Sequence, residues 1–273
     1  MGQKELIDNT PILRTRESIV EDLRKLGLKE GMTVIVHSSL SSMGWVCGGS
    51  VAVVQALMDV VTPNGNIIMP EHSGEYSDPC DWCNPPVPKE WWQAIRDTMP
   101  AFDPKYTPSS FMGVIAETFR NFQGVVRSNH PAVSFAAWGK DAQFIVEKHS
   151  LDYSLGENSP LARIYDLDGY VLLLGVSYEN NTSFHLAENR VIDKKICKAG
   201  APIIENGKRA WKAYEDIDFD TDLFEDIGKD FENKHKVDIG AVGSAKCRIF
   251  KQRAAVDYAE VWIQNKRQTM HIE

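Results

Sequence analysis

"MTVIVHSSLSSMGWVCGGSVAVVQALMDVVTPNGNIIMP", residues 32–70, decides how this chain folds. "MTVIVHSSL" is a short β-branched run that reads as a buried strand, and "SSMGWVCGGS" after it is a glycine-rich loop. "SVAVVQALMDVV" reads as a helix despite its valines, with Ser50 as its expected N-cap, and "TPNG" turns the chain into the strand "NIIMP". Strand, loop, helix and strand in that order make a βαβ unit, the building block of α/β proteins.

Working outward, "TRESIVEDLRKLGL" places Ile19, Leu23 and Leu26 at helical spacing, with Thr15 or Ser18 as caps and a stop at Gly27. Residues 71–110 are rich in Pro, Asp and Trp and weakly periodic. They read as a long irregular insertion with one short helix around Trp91 to Asp97, and loops of that length are more often functional than decorative. "SFMGVIAETFRNF" and "KDAQFIVEKHS" read as helices, "AVSFAAWG" and "YVLLLGV" as strands. "CKAGAPIIENGKRAWKAYEDIDF" reads as a β-hairpin turned at Asn206-Gly207, followed by helices to the end. No linker or repeat divides the chain, so residues 1–273 are read as one domain, a central, mostly buried mixed β-sheet flanked by helices.

With 273 residues, 43% of them hydrophobic, the chain can fill a sizeable core without staples. Five cysteines form no regular framework, and their odd number suits free thiols in a reducing compartment. No stretch approaches the roughly 18 apolar residues that span a bilayer, and the N-terminus has no signal-peptide core. A soluble, cytoplasmic protein is expected. The net charge of -8 argues against a nucleic-acid surface, and residues 215–232 carry it all, with nine acids and one lysine. Asp216, Asp218, Asp220 and Asp222 alternate, so an extended segment would gather their carboxylates on one face. That face is either a solvated loop or a wall for a polycation.

Chemistry concentrates at "NNTSFHLAENRV", residues 180–191, just after the apolar run "DGYVLLLGV". With Thr182 or Ser183 as cap, His185 lies in the first turn of a helix, where the dipole opposes a positive charge on the ring. Glu188, three residues on, shares its face. Either the pair is a base with its partner, or both are ordinary half-buried polar residues. The "HSSLSS" loop sits at the carboxyl end of a buried strand, the usual place for a ligand in an α/β sheet. It matches neither G-x-G-x-x-G nor the P-loop. Arg127 in "RSNHP" is either a phosphate ligand or half of a surface ion pair. Cys80 and Cys83 form a lone C-x-x-C without a second pair, and the histidines are scattered, so no metal site is expected. Nor is there a G-x-S-x-G elbow.

Taken together, "VHSSLSSMGWVCGG", "IIMPEHSG", "FDPKYTPSSFMGVIAETFR", "RSNHPAVSFAAWG", "ENSPLARIYDLDGYVLLLGV" and "NTSFHLAE" resemble the aminoglycoside 3-N-acetyltransferase family. The six segments are collinear from about residue 15 to residue 260. The resemblance implies an α/β fold distinct from that of the smaller acetyltransferases with a pyrophosphate loop. It implies metal-free direct transfer from acetyl-coenzyme A to the 3-amino group of a 2-deoxystreptamine antibiotic. His185 matches the family's general base, with Glu188 in support and Thr182 at the thioester. His37, Ser38, Ser39, Leu40 and Ser41, with Ser110, Phe111, Met112 and Gly113 and with Ser128, His130 and Ser134, match the walls that hold coenzyme A. Asp216 and Asp218 match acidic positions facing the cationic sugar, and Asp78 is a further candidate for that wall. The expected partners are therefore two small molecules, with neither nucleic acid nor membrane, and a homodimer is left open. Transfer to a different amine, or coenzyme A binding without aminoglycoside activity, are the alternatives.

Overall fold

The computed structural model describes residues 3–270. A short helix α1 (Gln3–Asp8) precedes α2 (Arg16–Leu26), and the two expected caps of α2 act together. The Thr15 hydroxyl accepts from the Ser18 amide while the Ser18 hydroxyl accepts from the Thr15 amide, a reciprocal capping box. Gly27 closes the helix at φ 113°, in the left-handed region.

The βαβ unit is present as β1 (Thr33–Ser38), α3 (Gly49–Val61) and β2 (Asn66–Pro70), with Val34 of β1 paired in parallel with Ile67 of β2. Its helix starts differently from the expectation. Gly48 is the N-cap at φ 84°, a turn sharp enough to leave Ser50 inside the helix, where its hydroxyl pairs with that of Thr118 at 2.8 Å.

Residues 71–110 form the irregular excursion, carrying α4 (Trp92–Thr98). The next helix, α5 (Val114–Phe119), is shorter than its sequence pattern because Phe111 at φ 60° and Gly113 at φ 84° hold the chain out of helix before it. Then follow β3 (Val126–Arg127), β4 (Phe135–Gly139), α6 (Ala142–Val146), α7 (Pro160–Asp166), β5 (Tyr170–Leu174) and α8 (Phe184–Arg190). The hairpin β6 (Ile196–Glu205) and β7 (Lys208–Ile217) turns at Asn206-Gly207 as read. The tail is not wholly helical. Between α9 (Phe224–Lys234) and α10 (Gln252–Met270) lie β8 (Asp238–Val242) and β9 (Ala245–Lys251), joined at Gly243 with φ 61°. In β9 the buried Ala245, Cys247 and Ile249 alternate with the more exposed Lys246 and Arg248, a period of two that marks a strand.

One seven-stranded mixed sheet runs β3-β4-β2-β1-β5-β9-β8, and β6-β7 stands apart. Only the central β2-β1-β5 is parallel, and antiparallel strands flank it on both sides. Strand alternation divides the core. Val34, Val36, Ile67, Met69, Leu172 and Leu174 face α2, α3 and α5. Ile35, Ile68, Val171, Leu173 and Phe250 face α6 to α10. Helices on both faces bury the central strands, which explains their nearly unbroken apolar runs.

Arg127, read as a phosphate ligand or half of a surface ion pair, spends its guanidinium on internal acceptors. Its guanidinium donates to the Ser134 hydroxyl at 2.9 Å, the carbonyls of Thr107 at 2.5 Å and Glu71 at 2.6 Å, and the Ser73 hydroxyl at 2.9 Å. It ties the excursion to the sheet. Burial pushes this guanidinium down to about 10. Glu71 beside it is fully buried, neither carboxylate oxygen has a hydrogen-bond partner among the described residues, and desolvation raises the carboxyl to about 7.

Helix α9 locks the turn that follows β5. Glu225 accepts from the Tyr178 amide at 3.1 Å, and Glu232 accepts from the Tyr178 hydroxyl at 3.1 Å and from Arg248 at 2.6 Å. The approach is so close that a Cβ on Gly228 would lie 1.9 Å from Cγ of the fully buried Tyr178. Gly228→Ala, which an exposed helix site would welcome, should instead destabilise the protein by about 1–3 kcal/mol or more through overpacking. Urea unfolding checks this, and a variant as stable as the wild type would refute the close packing.

Candidate active site

The carboxyl ends of the three parallel strands open into a cavity of about 640 Å³. His37, Ser38, Ser39, Leu40 and Ser41 leave β1, Pro70 and His72 leave β2, and Val176, Asn180, Thr182 and His185 follow β5. Phe111, Met112, Gly113 and Val114 form another wall. Since β1 crosses over to β2 on one side and pairs with β5 on the other, the cavity lies at the switch point of the parallel strands, where α/β proteins bind ligands.

His185, which lines the cavity, meets Glu188, which is not among the lining residues. The spacing of three on α8 puts both side chains on one helix face, and His185 Nδ1 lies 2.5 Å from Glu188 Oε2. The other carboxylate oxygen, Oε1, accepts from the Asp220 amide at 3.1 Å. Glu188 is 4% exposed and spends its two oxygens on these donors, so it holds the proton of His185 on Nδ1. Nε2 is left with its lone pair on the ring that lines the cavity. The expected cap differs. The Ser183 hydroxyl makes no capping bond; Asn181 Oδ1 accepts from the Ser183 amide at 3.3 Å, and the Ser183 hydroxyl accepts from Gln252 at 3.2 Å.

Two further imidazoles border the site. Burial, reinforced by the nearby His185, pushes His37 and His72 each down to about 3, and neither Nε2 has a hydrogen-bond partner among the described residues. His72 was not singled out from the sequence. Its signal was its place, two residues beyond the end of the strand "NIIMP".

The coenzyme A candidates divide by position. The five residues His37 to Ser41, with Phe111, Met112 and Gly113, line the cavity; Ser110 lies beside it with its hydroxyl on Glu75. Ser128, His130 and Ser134 are buried and are not among its lining residues. The Ser128 hydroxyl accepts from the Phe135 amide at 2.8 Å and bonds His149 Nδ1 at 2.9 Å, with His149 Nε2 donating to the Ser154 carbonyl at 2.7 Å. His130 Nδ1 accepts from the Val133 amide at 3.1 Å, and the Ser134 hydroxyl donates to the Glu71 carbonyl at 2.6 Å. "RSNHP" therefore braces the turn into β4.

The candidate aspartates Asp78, Asp216 and Asp218 also lie apart from the cavity lining, in which Glu179 is the carboxylate. Asp78 is held by a two-pronged contact from Arg96 at 2.9 and 2.7 Å. Asp216, 5% exposed, accepts from the Ser154 hydroxyl at 2.5 Å and from the Ile217 amide at 2.9 Å, and burial raises its carboxyl. Asp218 is exposed and paired with Lys195. The single acidic face expected of an extended segment does not form, because β7 ends at Ile217 and Asp220 folds onto the Asp222 amide at 2.9 Å.

An imidazole held by a buried carboxylate, at a cavity over the ends of parallel strands, has the form of an α/β enzyme site. The chain belongs to the aminoglycoside 3-N-acetyltransferase family, whose sequence profile matches residues 35–264. It is 54% identical over 263 residues, 96% of this chain and 97% of its relative, to the SPbeta prophage-derived aminoglycoside N(3')-acetyltransferase-like protein YokD of Bacillus subtilis (strain 168). The crystal structure of YokD superposes with a TM-score of 0.96 at 53% identity, covering 97% of this chain and 98% of that one. AAC-VIa bound to sisomicin superposes with a TM-score of 0.84 at 30% identity, covering 93% and 99%. The binary complex of AAC-IIIb with CoASH matches with a TM-score of 0.84 at 28% identity, covering 93% and 98%.

The buried histidines predict acid sensitivity. His37 and His72 at about 3 and His149 at about 4 bind fewer protons folded than unfolded, where the ordinary value is 6.5. Stability contributed by neutral burial is thus intact above 6.5 and is lost as pH falls from there towards about 3. The double variant His72→Gln and His149→Gln should show a shallower loss over that window in urea titrations. An unchanged slope would mean that these rings titrate freely.

Proposed function

We propose that the protein transfers the acetyl group of acetyl-coenzyme A to the 3-amino group of a 2-deoxystreptamine aminoglycoside, with His185 as general base. The observation that carries this reading is the Glu188-held His185 at the cavity wall. Support comes from the family relationship and from relatives solved with CoASH and with sisomicin.

The cavity suits a narrow arm of amide groups separated by methylene groups. Ser38, Ser39, Ser41 and Thr182 supply hydroxyls, while Leu40, Met112 and Val176 supply apolar contact. Acetyl-coenzyme A, when bound, contributes the acetyl group as a reactive thioester. His185 accepts the proton of the attacking amine at Nε2, and Glu188 offsets the charge that the ring then carries. The Thr182 hydroxyl is assigned to the oxygen of the reacting carbonyl. Asp218, the exposed member of the acidic set, is assigned to an ammonium of the acceptor, for which it exchanges Lys195. Asp216 adds to the negative field without direct contact, whereas the charge of Asp78 is offset by Arg96.

Thiol release from acetyl-coenzyme A, measured with kanamycin, gentamicin, neomycin and apramycin, tests the reading. Wild type should turn over at least one of them, and His185→Ala should lose roughly 10²- to 10⁴-fold in turnover while still binding acetyl-coenzyme A. A variant with near-wild-type turnover would remove the base role. No release by the wild type with any of the four would remove the acceptor assignment.

A further inference from the structure

The helix that bears the base has only seven residues, Phe184–Arg190, too short to fix the imidazole by itself. What completes the support comes from the segment that leaves β7. There the Asp220 amide donates to Glu188 Oε1 at 3.1 Å, and the Phe219 ring stands against the His185 ring with centroids 4.7 Å apart and planes at 65°. Phe224, opening α9, adds a second ring at 4.8 Å and 57°, itself braced edge-on by Phe184 at 5.3 Å. His185 is thus enclosed by two benzene rings on its sides and by Glu188 at Nδ1, which leaves Nε2 for the substrate. Phe224 is fully buried and belongs to the core, whereas Phe219 is only half-buried. Phe219 packs against the edge of that core, with its ring turned to His185.

Resting on the proposed transfer reaction, we infer that Phe219 is a positioning residue for the base, holding the His185 ring upright against Glu188 and stabilising the imidazolium that forms during transfer. The reaction makes plain when this matters. The amine nitrogen bonds the carbonyl carbon, the carbonyl π pair moves to oxygen, and the amine proton passes to His185 Nε2. The oxygen pair then re-forms C=O, the C–S bond breaks, and the departing sulfur takes the proton back from Nε2. Between those events the ring is a cation within about 5 Å of two aromatic rings, inside the roughly 6 Å reach of a cation–π contact. In the neutral state the same contacts restrict the ring to the orientation that points Nε2 at the cavity.

Phe219→Leu keeps an apolar side chain and deletes the ring, and Phe219→Tyr keeps the ring. The leucine variant should lose roughly 2- to 30-fold in kcat, the span of a cation–π contact, with KM for acetyl-coenzyme A unchanged. Phe219→Tyr should recover at least half of the wild-type rate. A second readout needs no turnover. The His185 Nδ1–H proton, assigned by its absence in His185→Ala, should give a far-downfield resonance in wild type and Phe219→Tyr, and should broaden into water exchange in Phe219→Leu. Loss of that resonance in the leucine variant alone supports the inference even if no acceptor is turned over, an outcome that would count against the proposed reaction only. If Phe219→Leu keeps both the resonance and full kcat, Phe219 is ordinary packing. A rate loss in Phe219→Leu that Phe219→Tyr does not recover would likewise overturn it.

Discussion

The parallel pairing of β1 with β5 is the constraint on which the site depends. His37 lies opposite Leu173 and Ser38 opposite Leu174, so both strands end at the same level. Beyond that level the loops stay joined, with the Ser39 amide donating to the Leu174 carbonyl at 3.0 Å and the Ser42 hydroxyl to the Gly175 carbonyl at 2.8 Å. One loop carries the serines of the cavity wall and the other leads to Thr182 and His185. A slip of one residue would turn every side chain of β5 to the opposite face and separate the two loops. The apolar layers on both faces of the sheet prevent that slip.

From this seam the support for the base is built outward in three layers. Helix α8 provides the spacing that joins His185 to Glu188. The segment after β7 then closes over the pair, placing an amide on Glu188 and a ring on His185. Helix α9, clamped to Tyr178 through Glu225 and Glu232, holds the turn from which α8 starts. Each layer comes from a more distant part of the chain, and each acts through contacts that water cannot replace, because His185 and Glu188 are nearly closed to solvent. The buried neutral imidazoles of His37 and His72 keep further positive charge away from His185, which suits the role of base proposed for it.

Much of the fold was legible in the sequence where local chemistry and long-range packing agree. The βαβ unit, the capping box at Thr15 and Ser18, the Asn206-Gly207 hairpin and the irregular excursion all follow from spacing and turn residues. The β8–β9 hairpin was missed although Ala245, Cys247 and Ile249 carry a period of two, because small and charged residues interrupt that signal and pairing with β5 is what completes the strand. The family resemblance matched "RSNHP" to the cofactor walls, yet its serine and histidine are consumed in bracing β4. Residue type announces hydrogen-bonding capacity without naming the partner.

The sequence by itself determined the class of fold, the family, and the pairing of His185 with Glu188, since a spacing of three on a helix is a local property. Tertiary structure decided which polar residues face the cavity. It committed Asp78, Asp216 and Arg127 to internal partners and brought Asp220 and Phe219 onto the base from 31 or more residues away in the chain. Those contacts follow from how sheet, hairpin and helices pack, and a side chain's partners across such distances are set by the closing of the core rather than by its neighbours in sequence.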